Sequence, residues 1–167
     1  RNPYPAFTTS TMQIESSRKL GFSANQTMRT AQKLYEGTEL KGETTGLITY
    51  MRTDSVVMSH DAINQIRSFV TENYGSNYLP DNPRVYKSKA KNAQEAHECI
   101  RPTNINLTPK YIKQYITLEE YKLYEIIWQR AVSSQMASAI LDQVAIDITN
   151  EDKKIVLRAN GSTIKFP

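Results

Sequence analysis

One tyrosine in this chain stands where a phenol could do chemistry. In "GLITYMRTDS", Gly46 to Ser55, Tyr50 lies between a hydrophobic run and an Arg-Thr-Asp-Ser cluster. A phenol ionises near ~10, so at neutral pH it attacks poorly unless a cation stabilises the phenolate or a base takes its proton. Arg52 can supply that cation. If "LITYMR" is a strand, residues two apart share a side, which puts Tyr50 and Arg52 on one face. A guanidinium also grips two phosphate oxygens in its planar fork and stabilises charge developing on phosphorus, so the pair suits phosphoryl transfer onto tyrosine. The competing reading is a buried strand that ends at a polar turn, since the chain has 10 tyrosines.

A second cluster, "QEAHECIRPT", holds His97, Glu98 and Arg101 before Pro102. If it is one helical turn, His97 and Arg101 sit four apart on the same face. A histidine there can donate a hydrogen bond to phosphate or trade a proton, or it can be an ordinary satisfied side chain. His60, at a helix start, reads as structural. Other schemes find no support: the chain lacks a Walker-type loop and a dinucleotide fingerprint, and Asp147, Glu151 and Asp152 fall near a hairpin turn as solvated charges. A metal-assisted reaction would need acids from elsewhere.

The elements that must position these residues are mostly helical. "FTTSTMQIESSRKLG" offers hydroxyl caps from Thr8 to Thr11 and closes on Gly21. "SANQTMRTAQKLYEG" places Met28, Ala31, Leu34 and Tyr35 on one face and ends at Gly37. In "SHDAINQIRSFVTENYG", Ser59 caps, Asp61 favours the positive helix start, and Ala62, Ile63, Ile66, Phe69 and Val70 form an apolar stripe. A short helix begins at Thr108 with Pro109 at its first position. The longest starts with a capping box, Thr117 with Glu120, and buries Tyr121, Tyr124, Ile127, Trp128 and Ala131. From Ile140 the period becomes two: Val144, Ile146 and Ile148, then Ile155, Leu157 and Ala159, predict two or three antiparallel strands.

Such a hairpin is marginal alone, which places a boundary near Ala137 and sheet partners elsewhere. The expected fold class is α+β, with a mainly helical unit over residues 1–136 and a partial β-rich unit over 137–167. The opening Arg1 and the final Phe166-Pro167 look cut from a longer polypeptide. The irregular stretch from Leu79 to Pro109 carries Arg84, Lys87, Lys89 and Lys91, either a solvated loop or a phosphate-binding rim. A net charge of +4 permits a polyanionic partner without demanding one. A single cysteine, Cys99, excludes an intramolecular disulfide and a cysteine zinc site. No apolar run is long enough for a membrane span and no signal peptide is visible, so the expectation is a soluble, cytoplasmic protein.

Taken in order, "FTTSTMQ", "TMRTAQKLYEG", "GLITYMRTDS" and "QEAHECIRPT" resemble the tyrosine-bearing region of type IA DNA topoisomerases. The match runs through nearly the whole chain, and Met51 after the tyrosine favours the bacterial topoisomerase I branch over the topoisomerase III branch, which typically has proline there. The resemblance implies a winged-helix-like tyrosine domain followed by part of the β-arch. It further implies that Tyr50 attacks a phosphodiester of single-stranded DNA, leaving a 5′-phosphotyrosine and a 3′-hydroxyl, and that negative supercoils are relaxed without ATP. Arg52 would stabilise the scissile phosphate and His97 would assist, with Arg101, Asp54 and Thr53 organising the DNA neighbourhood. The family's Mg²⁺ is held by a Toprim domain absent from this chain, which itself binds none, so the isolated piece is expected to be inactive. The implied partners are DNA and the rest of the same polypeptide, in a monomer associated with the bacterial chromosome.

From the residues alone, two other readings stand beside this one: a non-catalytic winged-helix-like DNA-binding module, and a helical domain with no ligand. A binding module has no need of a phenol two residues from an arginine.

Overall fold

The computed structural model describes residues 1–87, 97–152 and 154–166. Among these, α1 (Thr9–Leu20), α2 (Ala24–Glu36), α3 (His60–Tyr74), α4 (Pro109–Ile112) and α5 (Leu118–Ser134) form the helical body. Two antiparallel ribbons accompany them: β1 (Thr38–Leu40) with β2 (Glu43–Thr45), and β3 (Ile140–Thr149) with β4 (Val156–Phe166). The fold class is α+β.

Helix ends lie where the hydroxyl and glycine signals put them. Thr8 and Thr11 form a reciprocal cap on α1, whose far end turns at Gly21 with φ 70. Ser59 caps α3, Thr108 caps α4 with Pro109 inside, and Thr117 with Glu120 closes a capping box on α5. These side chains satisfy N–H groups that a helix leaves without partners. The α3 stripe is buried as expected. Two stripes shift: α2 buries Thr27 and Thr30 beside Ala31 and Leu34 while Tyr35 stays 41% exposed. On α5 Tyr121 is only half-buried, its hydroxyl donating to Glu125, and Leu123 and Ile126 are inside. The core runs between α1, α2, α3 and α5 and includes Phe7, Met12, Leu34, Ile66, Ile100 and Ile127.

The segment "LITYMR" is not a strand. Ile48 makes one isolated bridge to Pro102, and the other backbone groups bond to three different stretches of chain. Leu47 N–H donates to Leu34 O at 2.8 Å, Thr49 N–H to Arg101 O at 2.9 Å, and Thr103 N–H to Leu47 O at 3.1 Å. Beyond the tyrosine, Thr9 at the start of α1 takes over. Its N–H donates to Thr53 O at 2.9 Å, its hydroxyl to Met51 O at 2.8 Å, and the same oxygen accepts from Thr53 N–H at 2.8 Å. Leu47, Ile48 and Met51 are at most 1% exposed. Full burial of a side chain of that size contributes about 1.5–3 kcal/mol, so the segment is fixed by apolar anchors as well as by hydrogen bonds.

"QEAHECIRPT" is not helical either where it is described: residues 97–103 hold only isolated bridges at Ile100 and Pro102 and a bend at Thr103, and residues 94–96 lie outside the described residues. Ile100 bridges Phe7 and Pro102 bridges Ile48, so the stretch lies between the first segment of the chain and the tyrosine segment. The β1–β2 ribbon has no counterpart in the sequence reading, because "TELKGETT" is polar with no alternation. Gly37, at φ 104, lets it fold back under α2, where a Cβ would meet Thr45 O at 2.6 Å. β3 and β4 form one long hairpin of two strands, "TIKF" continuing β4, and Val144, Ile146, Ile148 and Leu157 are each more than half exposed. Asp147 lies within β3 and pairs with Arg158 through both carboxylate oxygens, at 2.6 and 2.7 Å.

Thr9→Val keeps the shape of the side chain and leaves Met51 O and Thr53 N–H without their partner. The expected loss is about 1–3 kcal/mol of stability, while Thr9→Ser retains most of it; thermal melts of the three proteins measure this.

Candidate active site around Tyr50

Tyr50 emerges between two clamped residues. Before it, the Thr49 hydroxyl donates to Cys99 O at 2.7 Å and accepts from Arg101 N–H at 3.0 Å. After it, Met51 is packed inside and the Thr9 bonds begin. Burial then alternates: Thr53 and Ser55 face inward at 7% and 5% exposure, and Arg52 and Asp54 face out. The strand expected to set Tyr50 and Arg52 on one face is absent and the chain bends at Met51 between them; the alternation begins at Met51 and leaves Arg52 exposed beside the half-buried Tyr50 in sequence.

The phenol itself is half-buried and held between two rings. Tyr35 of α2 meets it edge-on with centroids 5.5 Å apart, and the His97 ring lies against it at 5.0 Å, tilted by 44°. Such contacts restrict the ring plane. Tyr35 was not singled out as a site residue; in the sequence it reads as part of a core stripe, and its 41% exposure is the signal that it has another task.

The cations near Tyr50 have different circumstances. Arg101 is mostly buried, with a 14% exposed side chain. Its Nε donates to Glu98 at 2.6 Å and a terminal nitrogen donates to Pro102 O at 2.9 Å. Burial alone would raise the Glu98 carboxyl, but the hydrogen bond and charge of Arg101, joined by the Ser59 N–H and hydroxyl, outweigh it and hold the carboxyl below its ordinary value. Glu98, the neighbour of His97, therefore ties Arg101 to Ser59 at the start of α3. Arg52 is exposed and, among the described residues, makes no ion pair. It lines an open groove of about 480 Å³ with Asn25, Met28, Arg29 and Gln32 of α2. Thr53 is turned inward, its hydroxyl accepting from Ser55 N–H at 3.0 Å, and Asp54 is exposed.

Other expected players resolve differently. Arg84 braces the end of α5: Nε donates to Met136 O at 2.9 Å and a terminal nitrogen to Ser138 at 2.7 Å, so it is no open phosphate rim. Lys87 is exposed, and Lys89 and Lys91 lie outside the described residues. Cys99 is buried, which pushes its thiol up to about 12 and removes it as a nucleophile. His60 is the exposed first residue of α3. Among the described residues no group of three His, Cys, Asp or Glu side chains is placed to hold a metal ion, and no helix is long and apolar enough to cross a membrane.

An α+β unit that presents a single clamped tyrosine beside an exposed arginine and a histidine is the class that fold and site define. The family model that matches, over residues 1–167, is described as DNA topoisomerase. The chain belongs to the DNA topoisomerase family, as its four motifs led one to expect. It is 56% identical over 166 residues to DNA topoisomerase 1 of Rickettsia felis, covering 99% of this chain and 21% of that protein. To DNA topoisomerase 1 of Xylella fastidiosa it is 53% identical over 165 residues, 98% of this chain and 20% of the relative. The structure of full-length topoisomerase I from Thermotoga maritima superposes with a TM-score of 0.84 at 37% identity, over 99% of this chain and 26% of that one. The chain thus spans about a fifth of the length of the curated relatives it matches.

The depressed Glu98 carboxyl gives a pH signature. A carboxyl lowered in the folded state contributes stability that is complete above its unfolded pKa, near ~4.3, and is lost as pH falls through the folded value. Wild type is therefore expected to exceed Glu98→Gln in melting temperature at pH 7, with the gap closing as the pH is taken below about 4. Paired melts across that range check it.

Proposed function

We propose that Tyr50 is the nucleophile of a type IA topoisomerase reaction, carried out by a polypeptide several times longer than this chain. The observation that supports it best is the setting of Tyr50: half-buried, fixed between Tyr35 and His97, and flanked by the exposed Arg52. A phenol held in this way loses little freedom on attack, and that pre-orientation lowers the barrier to reaction.

In the proposed step the Tyr50 oxygen attacks the phosphorus of one phosphodiester in single-stranded DNA. A bond forms from the phenolic oxygen to phosphorus, the bond from phosphorus to the 3′-oxygen breaks, and the phenol proton is balanced by the proton taken up at that 3′-oxygen. One diester replaces another, so the break reseals by the reverse reaction without ATP, and passage of a strand in between relaxes negative supercoils. Arg52 offers its planar fork to the phosphate oxygens, where negative charge grows. His97 is the group beside Tyr50 suited to hold or move a proton. Arg101 and Asp54 stand at the edge of the DNA path, and Thr53 acts from inside by shaping the loop.

Mg²⁺, which would organise phosphate charge, belongs in this reading to acidic residues of a Toprim domain outside this chain; here the half-buried carboxylate next to His97, Glu98, is already committed to Arg101. The chain alone is accordingly proposed to be inactive. Residues 1–136 would be the tyrosine-bearing unit and 137–167 part of the arch that lets the gate open, with the whole acting as a monomer on the bacterial chromosome.

The test uses the full-length protein with Mg²⁺ and a single-stranded oligonucleotide, resolved on a denaturing gel. A 3′-end label should travel with the protein and a 5′-end label should not, because the 5′-phosphate side stays attached; Tyr50→Phe should abolish the adduct. Retention of the adduct in Tyr50→Phe moves the nucleophile to another residue, and its absence from folded wild type moves the reading to the binding module. Arg52→Ala is expected to lower adduct formation by about tenfold or more while the melting temperature changes little. Equal losses in both would assign Arg52 to the scaffold.

A further inference from the structure

We propose that the open groove along α2 is the seat of the DNA segment just 3′ of the cut, with Arg29 as its phosphate-binding residue. The proposal rests on Tyr50 as the nucleophile and goes beyond it, because the groove residues of α2, Asn25, Met28, Arg29 and Gln32, have no part in the phosphoryl step as proposed. Asn25, Met28, Arg29 and Gln32 recur at helical spacing and form one stripe, with Asn25 and Arg29 exposed and Met28 and Gln32 half-buried, and Arg52 lines the same groove. Continuing that stripe by three residues gives Tyr35, whose ring touches Tyr50. The groove therefore leads away from the nucleophile along α2.

Its chemistry fits a single strand. Arg29 is exposed and, like Arg52, makes no ion pair among the described residues. Two guanidiniums without acids suit successive phosphates, and the Met28 thioether and the Asn25 amide offer an apolar and a polar contact to bases. The nearest carboxylate on the helix, Glu36, is taken by the Gln32 amide at 2.7 Å. The seven helical steps from Asn25 to Gln32 rise about 10.5 Å, roughly three nucleotides at a stacked rise of about 3.4 Å. The strand in question follows from the chemistry: the nucleotides 3′ of the cut remain joined to Tyr50 through their 5′-phosphate. A groove on the same chain keeps that end in line for resealing while the other end is carried away.

The experiment measures adduct yield in the full-length protein for oligonucleotides that share one cleavage site and carry one to five nucleotides 3′ of it. Wild-type yield is expected to rise with the flank and level off near three. Arg29→Ala and Arg29→Glu should flatten the rise, with a loss of about fivefold or more at three nucleotides, and Arg29→Lys should recover much of it. Lys110→Ala, an exposed charge on α4 outside the groove, should follow wild type. Arg29 variants that follow wild type at every length overturn the groove, as does equal flattening by Lys110→Ala. An adduct that persists in Tyr50→Phe, or none in wild type, brings down the nucleophile assignment instead, and the groove with it.

Discussion

The structure depends on how the backbone from Gly46 to Val57 finds its hydrogen bonds. This segment crosses the body without a neighbouring strand on either side, and a buried peptide group without a partner costs about as much as a lost hydrogen bond. Two threonines solve most of the problem. Thr49 joins the segment to residues 99–101, and Thr9 joins it to α1; each hydroxyl both donates and accepts. Ser55 continues the plan, its hydroxyl accepting from Val57 N–H at 3.1 Å. Strand pairing would have fixed these same groups, but into a sheet whose neighbours cover the side chains. Threonine clamps fix the backbone and leave Tyr50 half-exposed and Arg52 and Asp54 exposed.

That difference explains the site. Leu47, Ile48 and Met51 anchor the segment in the core, so Tyr50 cannot drift far, yet its own ring is only half-buried. Tyr35 and His97 then restrict the ring from two sides. His97 is placed by its sequence neighbours: Glu98 reaches Ser59 and Arg101, and Ile100 pairs with Phe7. Each ring contact comes from a different stretch of chain, and all of these stretches meet at the clamped segment. A change in any clamp is therefore felt at the phenol before it is felt in the helices.

Much of this was legible in the sequence where the physics is local. Caps at Thr8, Ser59, Thr108 and Thr117 depend on a hydroxyl and the next three residues, and the α3 stripe depends on helical period, so both read directly. Tyr50, Arg52 and His97 stand out by type and spacing; the fold brings the Tyr50 and His97 rings together and leaves Arg52, two residues on, exposed at the α2 groove. What was not legible depends on distant partners. "LITYMR" alternates well enough for a strand, and only the absence of a neighbouring ladder prevents one. Tyr35 belongs to a helical stripe by period, but it lies past the edge of the core, where Tyr50 takes the place of a core neighbour. The "TELKGETT" ribbon carries no apolar pattern because it packs through Gly37 and backbone contacts.

The charges show most clearly why composition says little about a polyanion site. Three arginines looked suitable for phosphate, and the fold treats them oppositely. Arg84 is used up on Met136 and Ser138 at the end of α5, and Arg101 on Glu98 and Pro102. Both are partly or mostly buried, where an unpaired guanidinium would be costly, so their partners are a requirement of folding. Arg52 escapes this because burial in its segment alternates, and its neighbours Met51 and Thr53 take the inward positions. A guanidinium that the fold does not need keeps its full set of donors for a ligand. The distinction lies in which side of an extended segment faces the core, which is why a net charge of +4 cannot make it and a threonine clamp can.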